Sequence, residues 1–216
     1  MKRTTKIQLS LAAGLVVAVL ASAFVISRAQ PESTVDAATV TVVAENSHRL
    51  DTAPDGSVVF TEFLDFECEV CLAVHPYVEE LREEYAGQVT FVTRYFPIPA
   101  HKNSMNAAVA VEAAAQQGQF EAMYQRMFDT QTQWGEQQDS KADVFRGFAK
   151  DLGLDMTEYD AAIADPATEA RVQQDFEAGI ALGVTGTPTI FLDDQPIELT
   201  SPDALRAQLE EAVANK

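Results

Sequence analysis

Cysteine is nearly absent from this chain: two in 216 residues, both inside one stretch, Cys68-Glu69-Val70-Cys71. Two sulfurs cannot build a tetrahedral structural zinc site, which needs four ligands. His48, His75 and His101 are the only histidines and are scattered without ligand spacing. A bridge across so short a loop also makes a poor structural staple, because it hardly restricts the unfolded chain. Basic side chains are scarce too, 15 against 33 acidic ones, for a formal net charge of −18. Lys2, Arg3, Lys6 and Arg28 all precede the first acid, Glu32, which leaves 11 basic against 33 acidic residues for the rest. A surface that negative repels phosphate backbones and anionic lipid, which argues against nucleic-acid binding. Internal repeats and low-complexity tracts are missing, and a hydrophobic content of 47% is that of a chain with a packed core.

Charge is also missing from Ile7 to Ser27, 21 residues preceded by Lys2, Arg3 and Lys6. That length spans a bilayer core of ~30 Å as a helix, and the basic flank places its N-terminal end in the cytoplasm. Residues 1–28 are read as a retained membrane anchor. The rival is a signal peptide cleaved after Ala21-Ser22-Ala23, against which the apolar run continues through Phe24, Val25 and Ile26. Either way the rest of the chain is expected outside the cytoplasm. An oxidising compartment usually recruits cysteines as structural staples, but two of them only three residues apart constrain the chain too little for that and are read as a redox pair.

Residues 29–38 read as a polar linker. The β-branched run Thr39-Val40-Thr41-Val42-Val43 predicts a first strand, and Ser57–Leu64, apolar on both faces, a buried central one. Val74, Val78, Leu81 and Tyr85 mark one face of a helix that contains Pro76. Val89–Phe96 predicts a further strand, and this β–α–β order implies parallel pairing through a crossover helix. From about 103 to 182 the pattern is helical, with breaks near Gly118, Trp134-Gly135, Gly153 and Asp165-Pro166. Strand character returns at Thr189–Leu192 and Pro196–Leu199, and Ser201-Pro202 opens a last helix. The chain therefore reads as a βαβ unit and a ββα unit with a helical block between them.

Cys68 falls where the central strand gives way to a helix, and the unpaired amides of that helix start favour an anion. This is what an attacking thiolate needs. Cys71, nearly one turn later, is placed to close a disulfide or resolve a mixed one. Glu62 interrupts the apolar strand on the face of Phe60 and Leu64. A buried carboxyl there has a raised pKa or a task, and beside a dithiol that task is accepting the resolving thiol's proton through water. The alternative is a carboxylate at the sheet margin that reaches solvent. Thr187-Pro188 opens a strand. A plain trans turn is the default, whereas a cis bond beside the dithiol leaves the Thr187 backbone open to an extended peptide. His75, His101 and Trp134 are read as packing, capping or surface residues, with His75 one helical turn past Cys71.

Phe63-Leu64-Asp65-Phe66-Glu67-Cys68-Glu69-Val70-Cys71, Pro76 and Gly186-Thr187-Pro188-Thr189 resemble the DsbA-like branch of the thioredoxin superfamily. Tyr95-Phe96-Pro97, His101, Asn106-Ala107-Ala108 and Gln117-Gly118-Gln119-Phe120 resemble the inserted helical domain of its membrane-anchored actinobacterial members. The resemblance spans about residues 39–214. It implies an α/β thioredoxin fold with the helical domain inserted between the βαβ and ββα units. It further implies Cys68 as nucleophile, Cys71 as resolving thiol, Glu62 as buried proton acceptor, Pro188 as a cis proline and Thr187 beside it at the substrate. The redox-active disulfide Cys68–Cys71 would be the only redox group, with no added cofactor. The implied partners are exported polypeptides with cysteines and a membrane quinone-linked reoxidant, a DsbB or VKOR homologue, acting on a monomer. Two departures stand out: Glu69-Val70 replaces the Pro-His dipeptide of well-known DsbA, and Thr187 replaces Val. The Glu69 charge predicts a couple less oxidising than DsbA and a higher Cys68 pKa. The expected activity is donation of a disulfide to exported proteins. A reductase or isomerase, a copper-handling module and a non-catalytic chaperone are the alternatives.

Overall fold

The computed structural model describes residues 40–216, so the expected anchor and linker lie outside the described residues. Among the described residues no helix is long and apolar enough to cross a membrane.

The central pair forms because both strands are apolar on both faces and both faces are covered. β1 is His48–Asp51, β2 Val58–Leu64, α1 Glu69–Glu84 and β3 Val89–Tyr95. β2 and β3 run parallel from Val58 opposite Val89 to Leu64 opposite Tyr95, with α1 as the crossover. Five helices follow: α2 Ser104–Ala115, α3 Phe120–Trp134, α4 Ala142–Asp151, α5 Met156–Ala164 and α6 Pro166–Ala181. β4 (Thr189–Leu192), β5 (Gln195–Pro196) and α7 (Pro202–Ala214) complete the chain. The sheet order is β1-β3-β2-β4-β5, with β4 antiparallel to β2.

The expected strand at Thr39–Val43 is a correction: its described residues are irregular, and the first strand is His48–Asp51, on the β3 edge. Arg94 explains this. Its guanidinium, buried in β3 and paired with Asp175 of α6 at 2.7 Å, donates to the carbonyls of Thr41 (2.9 Å) and Val42 (3.1 Å). Those acceptors are satisfied by a side chain rather than a neighbouring strand. Val42 packs with Phe63, Phe96, Val184 and Phe191, so its β-branched run is an anchor.

One sheet face carries Phe60, Phe91, Ile190 and Leu192 against Val78 and Leu81 of α1 and Leu205 and Leu209 of α7. The other carries Phe63 and Phe191 against Phe96 and Phe176. In the helical block α2 is buried on nearly every side, and its alanines let α3, α4, α5 and α6 pack around it. Gly118 (φ 72°) ends the stretch between α2 and α3 in the left-handed conformation that glycine adopts without strain. Asp165 caps α6 by accepting from Ala167 N at 2.9 Å, ahead of Pro166. Ser201 caps α7 by accepting from Ala204 N at 3.1 Å.

Candidate active site

The turn between β2 and α1 is shaped by side chains that reach it from elsewhere. Cys68 is the N-cap of α1 in extended backbone, and its N–H donates to Asp65 O at 3.1 Å. The Asp65 carboxylate, 2% exposed, accepts from Glu67 N (2.9 Å), Ile98 N (3.0 Å) and His101 Nδ1 (2.7 Å). Burial raises the Asp65 pKa against these donors. Gln131 of α3 donates to both Phe66 O (2.8 Å) and Cys68 O (2.9 Å). Glu67 accepts from Asn103 N at 2.5 Å. The loop that carries the first sulfur is thereby fixed on three sides.

The two thiols have opposite electrostatics. A hydrogen bond from Cys71 lowers the Cys68 pKa to about 6; burial opposes this, while Thr187 and the amides of Cys71 and Val70 add to it. Burial pushes Cys71 well above the ordinary thiol value, and its bond to Cys68 and the nearby Glu62 push the same way. Cys68 is 5% exposed and Cys71 0%. Glu62, 3% exposed, is raised to about 8, first by burial and then by the charges of Glu79 and Cys68. The margin reading of Glu62 is thus overturned: it lies inside, on the α1 side of β2.

Thr187–Pro188 is a cis peptide bond. Its strand start brings Thr187 O to 3.4 Å from the Cys68 sulfur, which donates to it. The Thr187 hydroxyl is buried and has no partner in the dithiol. Thr189 Oγ1, donating to Gly186 O at 2.8 Å, holds the turn. Cys68, Cys71, Glu62, Thr187 and Pro188 therefore belong to one neighbourhood assembled from β2, α1 and the start of β4.

His75 lies one turn past Cys71, stacked on Phe128 at 4.4 Å, and burial lowers its pKa. His101 sits at the mouth instead. Burial works against its charge, but Asp65, Cys68 and Glu67 raise its pKa overall. Trp134 packs edge-on to Phe145 at 4.8 Å. Glu69 is exposed; sharing a proton with Glu136 lowers the pKa of Glu69 and raises that of Glu136. Beside the mouth, Val70 (54% exposed), Ala73, Val74 and Tyr77 of α1 face Leu199 and Pro202 across an apolar groove of about 330 Å³. Gln131 carries no signal in the sequence, and Asp65 stands there only as part of the motif around the cysteines. Each acts over contacts that neither spacing nor periodicity records, and only the buried register of Asp65 next to the cysteines was a usable signal.

A dithiol at a helix start, one sulfur lowered and the other raised, on a thioredoxin-type sheet with an inserted helical block, defines a DsbA-type thioredoxin-like fold. The chain belongs to the thioredoxin family, whose description matches residues 52–211. It is similar to a thioredoxin-like oxidoreductase from Silicibacter pomeroyi DSS-3, with TM-score 0.68 and 23% identity over 82% of this chain and 97% of that one. Likewise it resembles Wolbachia pipientis alpha-DsbA1, with TM-score 0.69 and 17% identity over 80% of this chain and 94% of that one. In sequence it matches Na(+)/H(+) antiporter NhaA 1 of Mycolicibacterium gilvum, 32% identical over 145 residues. That stretch is 65% of this chain but only 22% of the antiporter.

Proposed function

We propose that this chain is an extracytoplasmic thiol–disulfide oxidoreductase that donates its Cys68–Cys71 disulfide to exported polypeptides. The opposite pKa displacements of Cys68 and Cys71 carry this reading. A couple is oxidising to the extent that its reduced form is stabilised, and a stabilised Cys68 thiolate does this.

A substrate thiolate attacks Cys68 Sγ, the Cys68–Cys71 bond breaks and the electron pair leaves on Cys71. Cys71 has too high a pKa to remain a thiolate, so protonated Glu62 supplies the proton. The substrate's second thiolate then attacks its own sulfur in the mixed disulfide, releasing Cys68 as thiolate. Two electrons have passed from the substrate dithiol to the protein. Thr187, with its carbonyl at the sulfur and Pro188 next to it, is the backbone edge against which an extended substrate lies. The apolar groove beside Val70 receives the residues flanking the substrate cysteine.

Residues 1–28 supply the membrane location, with the domain outside. Relatives named as antiporters carry a similar stretch in proteins whose named activity requires a membrane. A membrane quinone-linked partner of DsbB or VKOR type restores the disulfide. The test is to incubate the oxidised full-length protein with a reduced exported polypeptide and follow disulfides formed in the polypeptide. Wild type is expected to form them and Cys68→Ser to form none; equal formation by both defeats the proposal.

A further inference from the structure

Glu62 is 3% exposed, so each proton it trades with Cys71 has to reach water through the protein. The mouth at Cys68 is one direction. α1 offers another, because Cys71, His75 and Glu79 follow each other four residues apart along one stripe. This stripe leads outward: Cys71 is 0% exposed, the His75 side chain 10% and the Glu79 side chain 28%.

α3 completes the row. The Tyr124 hydroxyl is 3.3 Å from His75 Nδ1, and His75 Nε2 is 3.1 Å from Gln125 Oε1. Gln125 Nε2 donates to Glu79 Oε2 at 2.7 Å, which fixes the orientation of the amide. Its oxygen can only accept, so Nε2 carries the His75 hydrogen and Nδ1 is the acceptor for the Tyr124 hydroxyl. Nδ1 also stands 4.0 Å from Glu79 Oε1. Burial is the largest influence on the ring and keeps it neutral and open to a proton; the charges of Glu79 from α1 and Asp129 from α3 oppose it, and Arg82 from α1 acts with it. At its inner end Tyr124 is buried in one cluster with Leu64, Phe66 and Cys71, its ring edge-on to Phe66 at 6.0 Å; burial first, and then the Glu62 charge, pushes its pKa up.

We propose that Tyr124 and His75 carry the proton between Glu62 and the solvent-facing carboxylate of Glu79. The inference rests on the disulfide-exchange reading and adds the proton's path to it. After Glu62 has protonated Cys71, a proton enters at Glu79, which Arg82 and Gln125 hold in place, and crosses the 4.0 Å to His75 Nδ1 over a bridging water. The Tyr124 hydroxyl takes it and delivers its own hydrogen, over a bridging water, to the Glu62 carboxylate. Reoxidation runs the row outward. Each pass moves one proton and no electrons. Tyr124 and His75 act through Glu62 and are positioning residues for its proton.

The test uses full-length wild type, Tyr124→Phe, His75→Gln and His75→Ala, with thermal melts to confirm folding. Tyr124→Phe keeps the ring that packs on Phe66 and Phe128. Two quantities are measured: the equilibrium constant with glutathione, and the rate and solvent isotope effect of dithiol-peptide oxidation across pH. A relay changes rates and not equilibria. The expected result is an equilibrium constant altered less than twofold. The rate falls on the order of tenfold with a larger isotope effect, and added imidazole restores it in His75→Ala. Unchanged rates in folded Tyr124→Phe and His75→Gln would send the proton through the Cys68 mouth and overturn the relay. Rate and equilibrium constant falling together, without imidazole rescue, would make both residues structural and overturn it too. A wild type that does not oxidise the peptide fails at the disulfide-exchange reading itself, and the relay falls with it.

Discussion

The Cys68 thiol donates to the carbonyl of Thr187 at 3.4 Å, joining residues 119 apart in sequence, while the Thr187 hydroxyl stands buried beside the sulfur with no partner. In the dithiol that hydroxyl is idle. Once Cys68 ionises it becomes a donor for the thiolate, which accounts for its share in lowering the Cys68 pKa.

Thr187→Val removes this donor and leaves the carbonyl in place. The Cys68 pKa is expected to rise and the couple to become less oxidising, with global stability unchanged or slightly higher because an unpaired buried hydroxyl is gone. Thiolate absorbance against pH, together with a thermal melt, checks both parts. A Cys68 pKa that stays put would remove the hydroxyl from the account.

Gln131→Leu should act on the loop rather than the sulfur. It strips the donor from two carbonyls, Phe66 O and Cys68 O, inside the protein. A cost of about 1–3 kcal/mol in denaturant unfolding is expected. No measurable loss would mean that the turn is held by Asp65 alone.

Glu62 governs how stability depends on pH. Its folded pKa of about 8 stands above the 4.5 of an ordinary glutamate. The protonated form is thus favoured by folding. Its contribution is full below pH 4.5 and is lost as pH rises through about 8. Glu62→Gln cannot ionise, so its stability relative to wild type should climb over that window. The rise should be about 5 kcal/mol and then level off. Parallel stability curves for the two proteins would show that the carboxyl is not held in its neutral form.

Glu69 sits next to the nucleophile in sequence, yet it is exposed, and other groups set the Cys68 pKa. Glu69→Gln should lower the Cys68 pKa slightly at low salt, and salt should erase the difference. A large, salt-independent shift would give this charge more weight than the structure does.

Much of the frame could be read from spacing. The breaks at Gly118 and at Asp165-Pro166 announce themselves by residue chemistry, as does the Ser201 cap. The Cys68–Cys71 pair and Glu62 were legible because an acid and two thiols interrupt an apolar strand and its exit. The first strand was not. His48-Arg49-Leu50-Asp51 has no strand pattern and pairs only because β3 offers an open edge, whereas Val40–Val43 has the pattern and lies under the Arg94 guanidinium. The supports of the site were equally silent. Gln131 reaches Cys68 O over 63 residues and His101 reaches Asp65 over 36, and contacts of that range leave no period in the chain.

The claim on which the rest depends is the division of labour between the two thiols, and a titration of thiolate absorbance in reduced wild type, Cys68→Ser and Cys71→Ser tests it most directly. One ionisation near pH 6 is expected in wild type. It should vanish in Cys68→Ser and move upward in Cys71→Ser, which has lost the main hydrogen bond to the thiolate, with no Cys71 signal until well above the ordinary thiol range. Two thiols ionising together near the ordinary value, or the low ionisation surviving in Cys68→Ser, would contradict it.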